Sequence, residues 1–383
     1  MTLRPDTTSG IARATELTRA GKLHEATALI QSLLGATPQS PPAADDVIDG
    51  DFTRIDTPAP LTAGARRAAA APRSGLAATL RTIAAGGMQG SALPHRRRQP
   101  VVPQGAQFLT LTHSGPHGSR DLRLYIPSSH PGGPLPLLVM LHGCTQSPED
   151  FAIGTGMNAL AEEFHCLIAY PAQAAGANAQ KCWNWFRPED QTRGTGEAAL
   201  IAGMVGQILR DHGGDAARVY IAGLSAGGAA AASIADAYPD VFSAAASHSG
   251  LPVGAARDIA SAFGAMRTGA SGSDRRSAVP VIVFQGQADT TVHPANGTAL
   301  VRQTLATLPG LTVKQTKGRV ARGRAWRNTS HHASDGRSMV EFWQVEGAGH
   351  AWSGGMSQGS YTDPTGPDAS AQILRFFLQH HRG

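Results

Sequence analysis

Long apolar runs are missing from this chain of 383 residues. No stretch approaches the roughly 18 uninterrupted apolar residues of a membrane-spanning helix, so no transmembrane segment is expected. The start, Met1-Thr-Leu-Arg-Pro-Asp6, has mixed charge and no apolar core of a secretory leader, which makes a cytoplasmic protein the first expectation. Cysteine is scarce: Cys144, Cys166 and Cys182 are too few for a disulfide scaffold, and their odd number leaves at least one thiol free or paired outside the chain. No zinc-like Cys/His spacing occurs, and neither a metal nor an organic cofactor is expected. Charge is sparse as well, at 16% Asp, Glu, Lys and Arg with a formal net charge of +5. Its positive part is scattered except at Arg96-Arg97-Arg98, which reads as solvated linker, so a nucleic-acid partner is not expected.

What the chain does have is apolar residues, 41% of the total, and 45 glycines. The first suffices for a substantial core, and the second implies many tight turns and close backbone approaches. Residues 1–35 carry helical periodicity broken at Gly21, as in a short helical pair that must dock on something to bury its apolar face. Residues 36–105 are rich in Pro, Ala, Gly, Ser and Arg without a sustained period, and read as a flexible linker with a short helix at about 75–85. From 106 to 383 the texture is that of a folded domain. Phe108–Thr112 and Leu122–Ile126 alternate as antiparallel edge strands do. Leu135–Leu141, Cys166–Tyr170, Val219–Ala222, Ala244–Ser247 and Val281–Phe284 are continuous apolar runs, suited to strands buried on both faces. Helical patterns near 150–164, 196–211, 226–237 and 294–307 separate them. Alternating strands and helices predict an α/β fold with a mostly parallel sheet and helices on both faces. In such sheets ligands bind at the carboxyl ends of strands, which narrows the set of polar residues that matter.

One of those ends carries Gly223-Leu-Ser225-Ala-Gly227-Gly228 between a strand and an Ala-rich helix. Gly-x-Ser-x-Gly in this context is a nucleophile elbow: small flanking residues let strand and helix approach, and the turn lifts the hydroxyl clear of the sheet. No Gly-Lys-Ser/Thr follows, which disfavours a phosphate loop. A serine hydroxyl needs a base, and the base needs an orienting carboxylate. Val281-Ile-Val-Phe-Gln-Gly286-Gln-Ala-Asp289 places Asp289 at a strand end. The Gly-rich loop Gly347-Ala-Gly349-His350-Ala-Trp352 supplies His350. His293, four residues past Asp289, is a rival base, but a pair so local cannot easily reach Ser225. The oxyanion hole is expected from the backbone N–H of Ala226 and from the loop His142-Gly143-Cys144-Thr145-Gln146, with the Cys144 amide as second donor.

Three of these segments together, His142-Gly-Cys-Thr-Gln146, Gly223-Leu-Ser-Ala-Gly-Gly228 and Gly349-His-Ala-Trp-Ser-Gly-Gly355, resemble the polyhydroxybutyrate depolymerase family of esterases. Cys182-Trp-Asn-Trp-Phe186 and Ser247-His-Ser-Gly-Leu-Pro252 look like that family too, and the resemblance covers about 106–383. It implies an α/β-hydrolase fold and hydrolysis of ester bonds in poly(3-hydroxybutyrate) or its oligomers, with Ser225, Asp289 and His350 as triad. Feruloyl and acetylxylan esterases are close relatives and give the alternative reading; a non-catalytic protein binding polymer or granule surfaces is a second. Many members are exported, so an extracellular site stays open, and the N-terminal unit could contact a granule. The resemblance also implies a Cys144–Cys182 bridge in exported members. Trp183, Trp185, His248 and Trp352 are expected to line the substrate cleft.

Overall fold

A computed structural model describes residues 99–270 and 277–382. The expected helical pair 1–35, most of the linker 36–105 and Arg96–Arg98 lie outside the described residues.

Ten strands form one sheet in the order β1-β2-β4-β3-β5-β6-β7-β10-β9-β8. These are β1 (Gln107–Gly115), β2 (Gly118–Ile126), β3 (Leu135–Leu141), β4 (Leu167–Pro171), β5 (Gly214–Leu224), β6 (Ala244–His248), β7 (Val281–Gly286), β8 (Thr312–Arg319), β9 (Ala325–His332) and β10 (Ser338–Val345). The central six, β4-β3-β5-β6-β7-β10, run parallel, while antiparallel pairs close both edges. Every residue of β3, β4, β6 and β7 is buried, as their apolar runs predict for strands covered on both sides. Alternation sorts the side chains: Leu135, Leu137, Val139 and Leu141 join one core layer, and Leu138 and Met140 the opposite one.

Seven α-helices flank the sheet among the described residues: α1 (Pro148–Thr155), α2 (Met157–Phe164), α3 (Gly196–Asp211), α4 (Ala226–Ala237), α5 (Ile259–Thr268), α6 (Ala295–Leu305) and α7 (Ala369–Phe377). The single helix expected over 150–164 is two helices. Gly156, at φ 63°, closes the first in a left-handed turn and opens the second. A short parallel pair, β11 (Trp352–Ser353) and β12 (Thr362–Asp363), follows β10. None of the described helices is long and apolar enough to cross a membrane.

This topology fixes where a site can form. From β3 the chain moves outward to β4, then returns across β3 to β5. The direction of winding therefore reverses between β3 and β5, and a crevice opens beyond the carboxyl ends of these two strands. The loops that leave those ends begin at His142 and at Ser225.

Candidate active site

Ser225 occupies the turn from β5 into α4 with φ 58° and ψ −120°. A non-glycine residue is strained there, and the strain is held by its surroundings. The Ser225 amide donates to the His248 carbonyl at 2.9 Å, and its own carbonyl accepts from Ala229 at 3.0 Å. Two glycines make the turn sterically feasible. A Cβ at Gly223 would overlap the Gly227 carbonyl, and one at Gly227 would overlap the carbonyl of Leu141 and lie 2.6 Å from that of His142. Strand, helix and the loop after β3 thus meet backbone to backbone around the serine. Ser225 itself is 8% exposed.

Asp289 lies just past β7 and His350 in the loop after β10, on neighbouring parallel strands. His350 Nδ1 donates to Asp289 Oδ2 at 2.8 Å. The other carboxylate oxygen accepts the amides of Thr291 at 2.9 Å and Val292 at 2.8 Å. Burial alone would raise the Asp289 pKa, but the His350 hydrogen bond, the imidazole's charge and the two amides outweigh it, and the carboxyl ends below its ordinary value. An ionised Asp289 holds the proton on Nδ1 and leaves Nε2 of His350 as the basic nitrogen. The carboxyl end of β7 also packs hard on this loop: a Cβ at Gly286 would lie 2.6 Å from the Gly349 carbonyl. The rival His293 is engaged elsewhere, its Nδ1 accepting the Ala295 amide at 3.2 Å at the start of α6.

The two expected oxyanion donors lie in the loops that leave β5 and β3. Ala226 is the first residue of α4, where helix amides point outward with the positive end of the dipole. Cys144 sits in the loop after β3 and is disulfide-bonded to Cys182, 38 residues on. Among the described residues, no protein acceptor takes the amide of Ala226 or of Cys144. The third cysteine, Cys166, is free and buried, and burial pushes its thiol up to about 12.

Four residues expected to line the cleft are placed differently. Trp183 is fully buried and donates from Nε1 to the His142 carbonyl at 3.1 Å, so it supports the Cys144 loop from below. Trp185 is buried in the same core layer, edge-on to Phe186. Trp352 lies at 1% exposure with its ring 5.1 Å from that of His248 and its Nε1 donating to Ser370 Oγ. His248 is itself buried between Phe284 and Trp352. Large apolar rings next to a sheet's carboxyl end gain more by covering the core than by facing water, and the sequence motif alone does not separate the two.

His248 has a role that its motif did not reveal. Its carbonyl holds the Ser225 amide, while its Nε2 accepts the Ser353 amide at 2.9 Å. It ties the serine turn to the loop of His350, three residues before Ser353. Burial, with His350 nearby, lowers its pKa to about 3, so it is neutral. A second tie runs from outside: Arg324 donates to the Gly347 carbonyl at 2.7 Å and pairs with Asp363. A third joins the Cys144 loop to the segment before β12, where Gln146 Nε2 donates to the Ser360 carbonyl at 3.1 Å and Thr145 Oγ1 meets the Tyr361 hydroxyl at 3.1 Å. Thr145 and Tyr361 both have positive φ, 66° and 51°.

With this geometry in place, likeness to known proteins can be stated. The family model described as "Esterase PHB depolymerase" matches residues 121–324, more than half of the chain. Poly(3-hydroxyalkanoate) depolymerase C of Paucimonas lemoignei is 34% identical over 251 residues, 61% of this chain and 58% of that protein. Feruloyl esterase B of Thermothelomyces thermophilus is 36% identical over 143 residues, covering 37% of this chain and 48% of its own. Acetylxylan esterase A of Emericella nidulans is 28% identical over 166 residues, 43% of this chain and 52% of its own. The chain thus spans about half the length of these curated relatives. Among solved structures, an acetyl xylan esterase from Aspergillus awamori superposes with a TM-score of 0.54 at 19% identity, covering 72% of this chain and 99% of the other, which shows a shared fold.

Proposed function

Because the chain belongs to the esterase PHB depolymerase family, we propose that it is a serine hydrolase of carboxylic esters, acting through Ser225, His350 and Asp289. The observation that carries this reading is the 2.8 Å pairing of His350 Nδ1 with a buried, ionised Asp289, in a loop that His248 ties to the strained Ser225 turn. In the cycle, His350 Nε2 takes the Ser225 proton as Oγ attacks the ester carbonyl. The amides of Ala226 and Cys144 stabilise the oxyanion. The alcohol leaves with the proton from His350, and water then cleaves the acyl-enzyme by the same route. His248 stays uncharged beneath the site and adds no positive charge to compete for Asp289.

For substrate we propose poly(3-hydroxybutyrate) or its soluble oligomers, on the strength of the depolymerase likeness and its coverage. A feruloyl or acetylxylan ester is the second reading, favoured by the two esterase relatives. With the tryptophans buried, the half-buried Tyr361 beside Thr145 takes their place as the aromatic at the rim. A site of action at a granule surface, through residues 1–105, belongs to the same proposal and awaits a binding measurement on granules.

The test is a panel of 3-hydroxybutyrate oligomers, amorphous polymer, methyl ferulate and acetylated xylan, with Ser225→Ala as the blank. The triad reading expects turnover on at least one ester to fall on the order of 10⁶-fold in the variant. Undiminished turnover without the hydroxyl overturns it, and preference within the panel decides between the substrates.

A further inference from the structure

The tip of the β8–β9 hairpin stands at the same end of the sheet as Asp289 and His350. β9 runs antiparallel to β10, so its first residues meet the last of β10: Trp326 pairs with Val345, and the Glu346 amide donates to the Ala325 carbonyl at 2.9 Å. β10 is parallel to β7, and the loops that leave these two strands carry His350 and Asp289. Arg324, in the turn, reaches the His350 loop through the Gly347 carbonyl and pairs with Asp363.

Cations collect around this tip. Directly opposite residues of an antiparallel pair share a face, as do residues two apart on one strand, so Lys317, Arg327 and Arg319 stand together. Arg319 and Arg322 line an open cavity of about 440 Å³ with Arg324, Glu346, Gly347 and Thr365. Arg319 donates one N–H to the Gly323 carbonyl at 3.1 Å. Among the described residues, the side chains of Lys317, Arg322 and Arg327 meet no acceptor. Glu346 is the one carboxylate among the described residues of the cavity wall, and Asp363 is held by Arg324 and the Thr365 amide. Protection against edge-to-edge pairing accounts for the cations of the outer strand β8. It does not account for Arg327, on the inner strand β9, or for Arg322 in the turn. Like charges gathered on one face cost stability, and an anion from outside the fold would answer them.

The spacing sets what kind of anion fits. From β5, which ends at Ser225, to β9 is four steps across the sheet, roughly 20 Å at about 4.8 Å per step. An extended chain covers about 3.3–3.6 Å in three backbone bonds, so a 3-hydroxybutyrate repeat, with four, covers about 4.5 Å. Roughly four or five repeats bridge the two places.

We propose that the β8–β9 tip anchors the free terminal carboxylate of an oligoester whose scissile bond lies at Ser225, so that acid-ended oligomers of about four repeats or more are the preferred soluble substrate. That carboxylate belongs to the alcohol half of the broken ester. The anchored half therefore leaves with the proton from His350, and the acyl half leaves later with the hydroxyl of water. The inference rests on the serine esterase reading and narrows its substrate.

The test compares free-acid 3-hydroxybutyrate oligomers, from dimer to hexamer, with neutral carboxamide-capped oligomers of the same length. The expected kcat/KM is about tenfold higher for the free-acid pentamer and hexamer, the scale of a few exposed ion pairs, and the gain lies in KM. The dimer should show no such preference, and about 0.5 M salt should erase it in the longer oligomers. In the triple variant Arg319→Gln, Arg322→Gln, Arg327→Gln, the free-acid pentamer should fall to the level of its capped counterpart. Lysine at the same three positions should keep the preference. Equal rates on the two pentamers in low salt, a preference that survives the glutamine variant, or one already complete in the dimer overturns the anchor. If methyl ferulate is cleaved, or Ser225 takes a phosphonate label, while every oligomer stays intact, the anchor falls and the serine esterase stands. With no ester cleaved and no label, both fall.

Discussion

The carboxyl end of the sheet and its β8–β9 edge treat polar groups in opposite ways. At the carboxyl end Ser225, Asp289, His142 and His248 are buried and each is held by at least one hydrogen bond. At the edge nearly all of β8 is exposed, and pairing with β9 sets Lys317 directly opposite Arg327. No Asp or Glu occurs between Asp289 and Asp335, while Lys314, Lys317, Arg319, Arg322, Arg324 and Arg327 fall in that interval. Where desolvation is severe, every charge or dipole must be answered locally. Where water screens, an unanswered cation costs little and keeps an open edge from pairing with other chains. Tolerance to change should therefore differ sharply between the two regions.

The largest effect is expected at the elbow. Gly227→Ala puts a Cβ into the backbone carbonyls of Leu141 and His142, consecutive residues where β3 ends, which cannot rotate away. We expect a destabilisation above about 4 kcal/mol, or no folded protein, in denaturant unfolding. Gly264→Ala, in α5 with open space around the glycine, is the matched control and should stabilise by about 0.5–1 kcal/mol. Similar costs at the two sites would mean that the backbone contact at the elbow is not tight.

Acid sharpens the contrast at intermediate magnitude. Burial depresses the folded pKa of His142 to about 4, His248 to about 3 and His380 to about 4, against about 6.5 in an unfolded chain. A depressed folded pKa means that the unfolded state binds more protons, so the stabilising contribution is complete above about pH 6.5 and is lost as pH falls toward 3–4. Each histidine contributes a slope of roughly 1 kcal/mol per pH unit within that window. Asp289, with its lowered pKa, adds a further loss only below about pH 4. Stability measured from pH 7 to 4 should fall steadily, and His380→Gln should flatten the curve without touching the active site. A flat profile over that range would show that these rings are hydrated.

Much of this site was readable from residue order. The elbow needs small residues at fixed offsets and a strand before it, and both are local. Asp289 and His350 each follow an apolar run, so the parallel-sheet rule places them at the same end. What was not readable depends on partners remote in the chain. The tautomers of His142 and His248 are set by the amides of Gln173 and Ser353, the latter 105 residues away. Whether Trp183 and Trp352 face the cleft or the core depends on which layer closes over them. The split of the helix at 156 hinges on one glycine's left-handed turn. The cations of the edge looked scattered because they are spaced along the chain; only strand pairing makes neighbours of Lys317 and Arg327.

That pair offers the smallest and most discriminating test. Directly opposite residues of an antiparallel pair share a face, and like charges there repel. With both side chains exposed, water keeps the cost small. Lys317→Glu converts the repulsion into attraction and should raise stability by about 0.2–1 kcal/mol, with the double variant Lys317→Glu, Arg327→Glu returning to near the parent value. The gain should shrink in 1 M salt, where screening reaches about 3 Å. The edge then behaves as an electrostatic surface free of the packing constraints that govern the elbow. A loss of several kcal/mol from Lys317→Glu would instead mean that the ribbon's charges are held as tightly as the active-site histidines, and the distinction between the two regions would collapse.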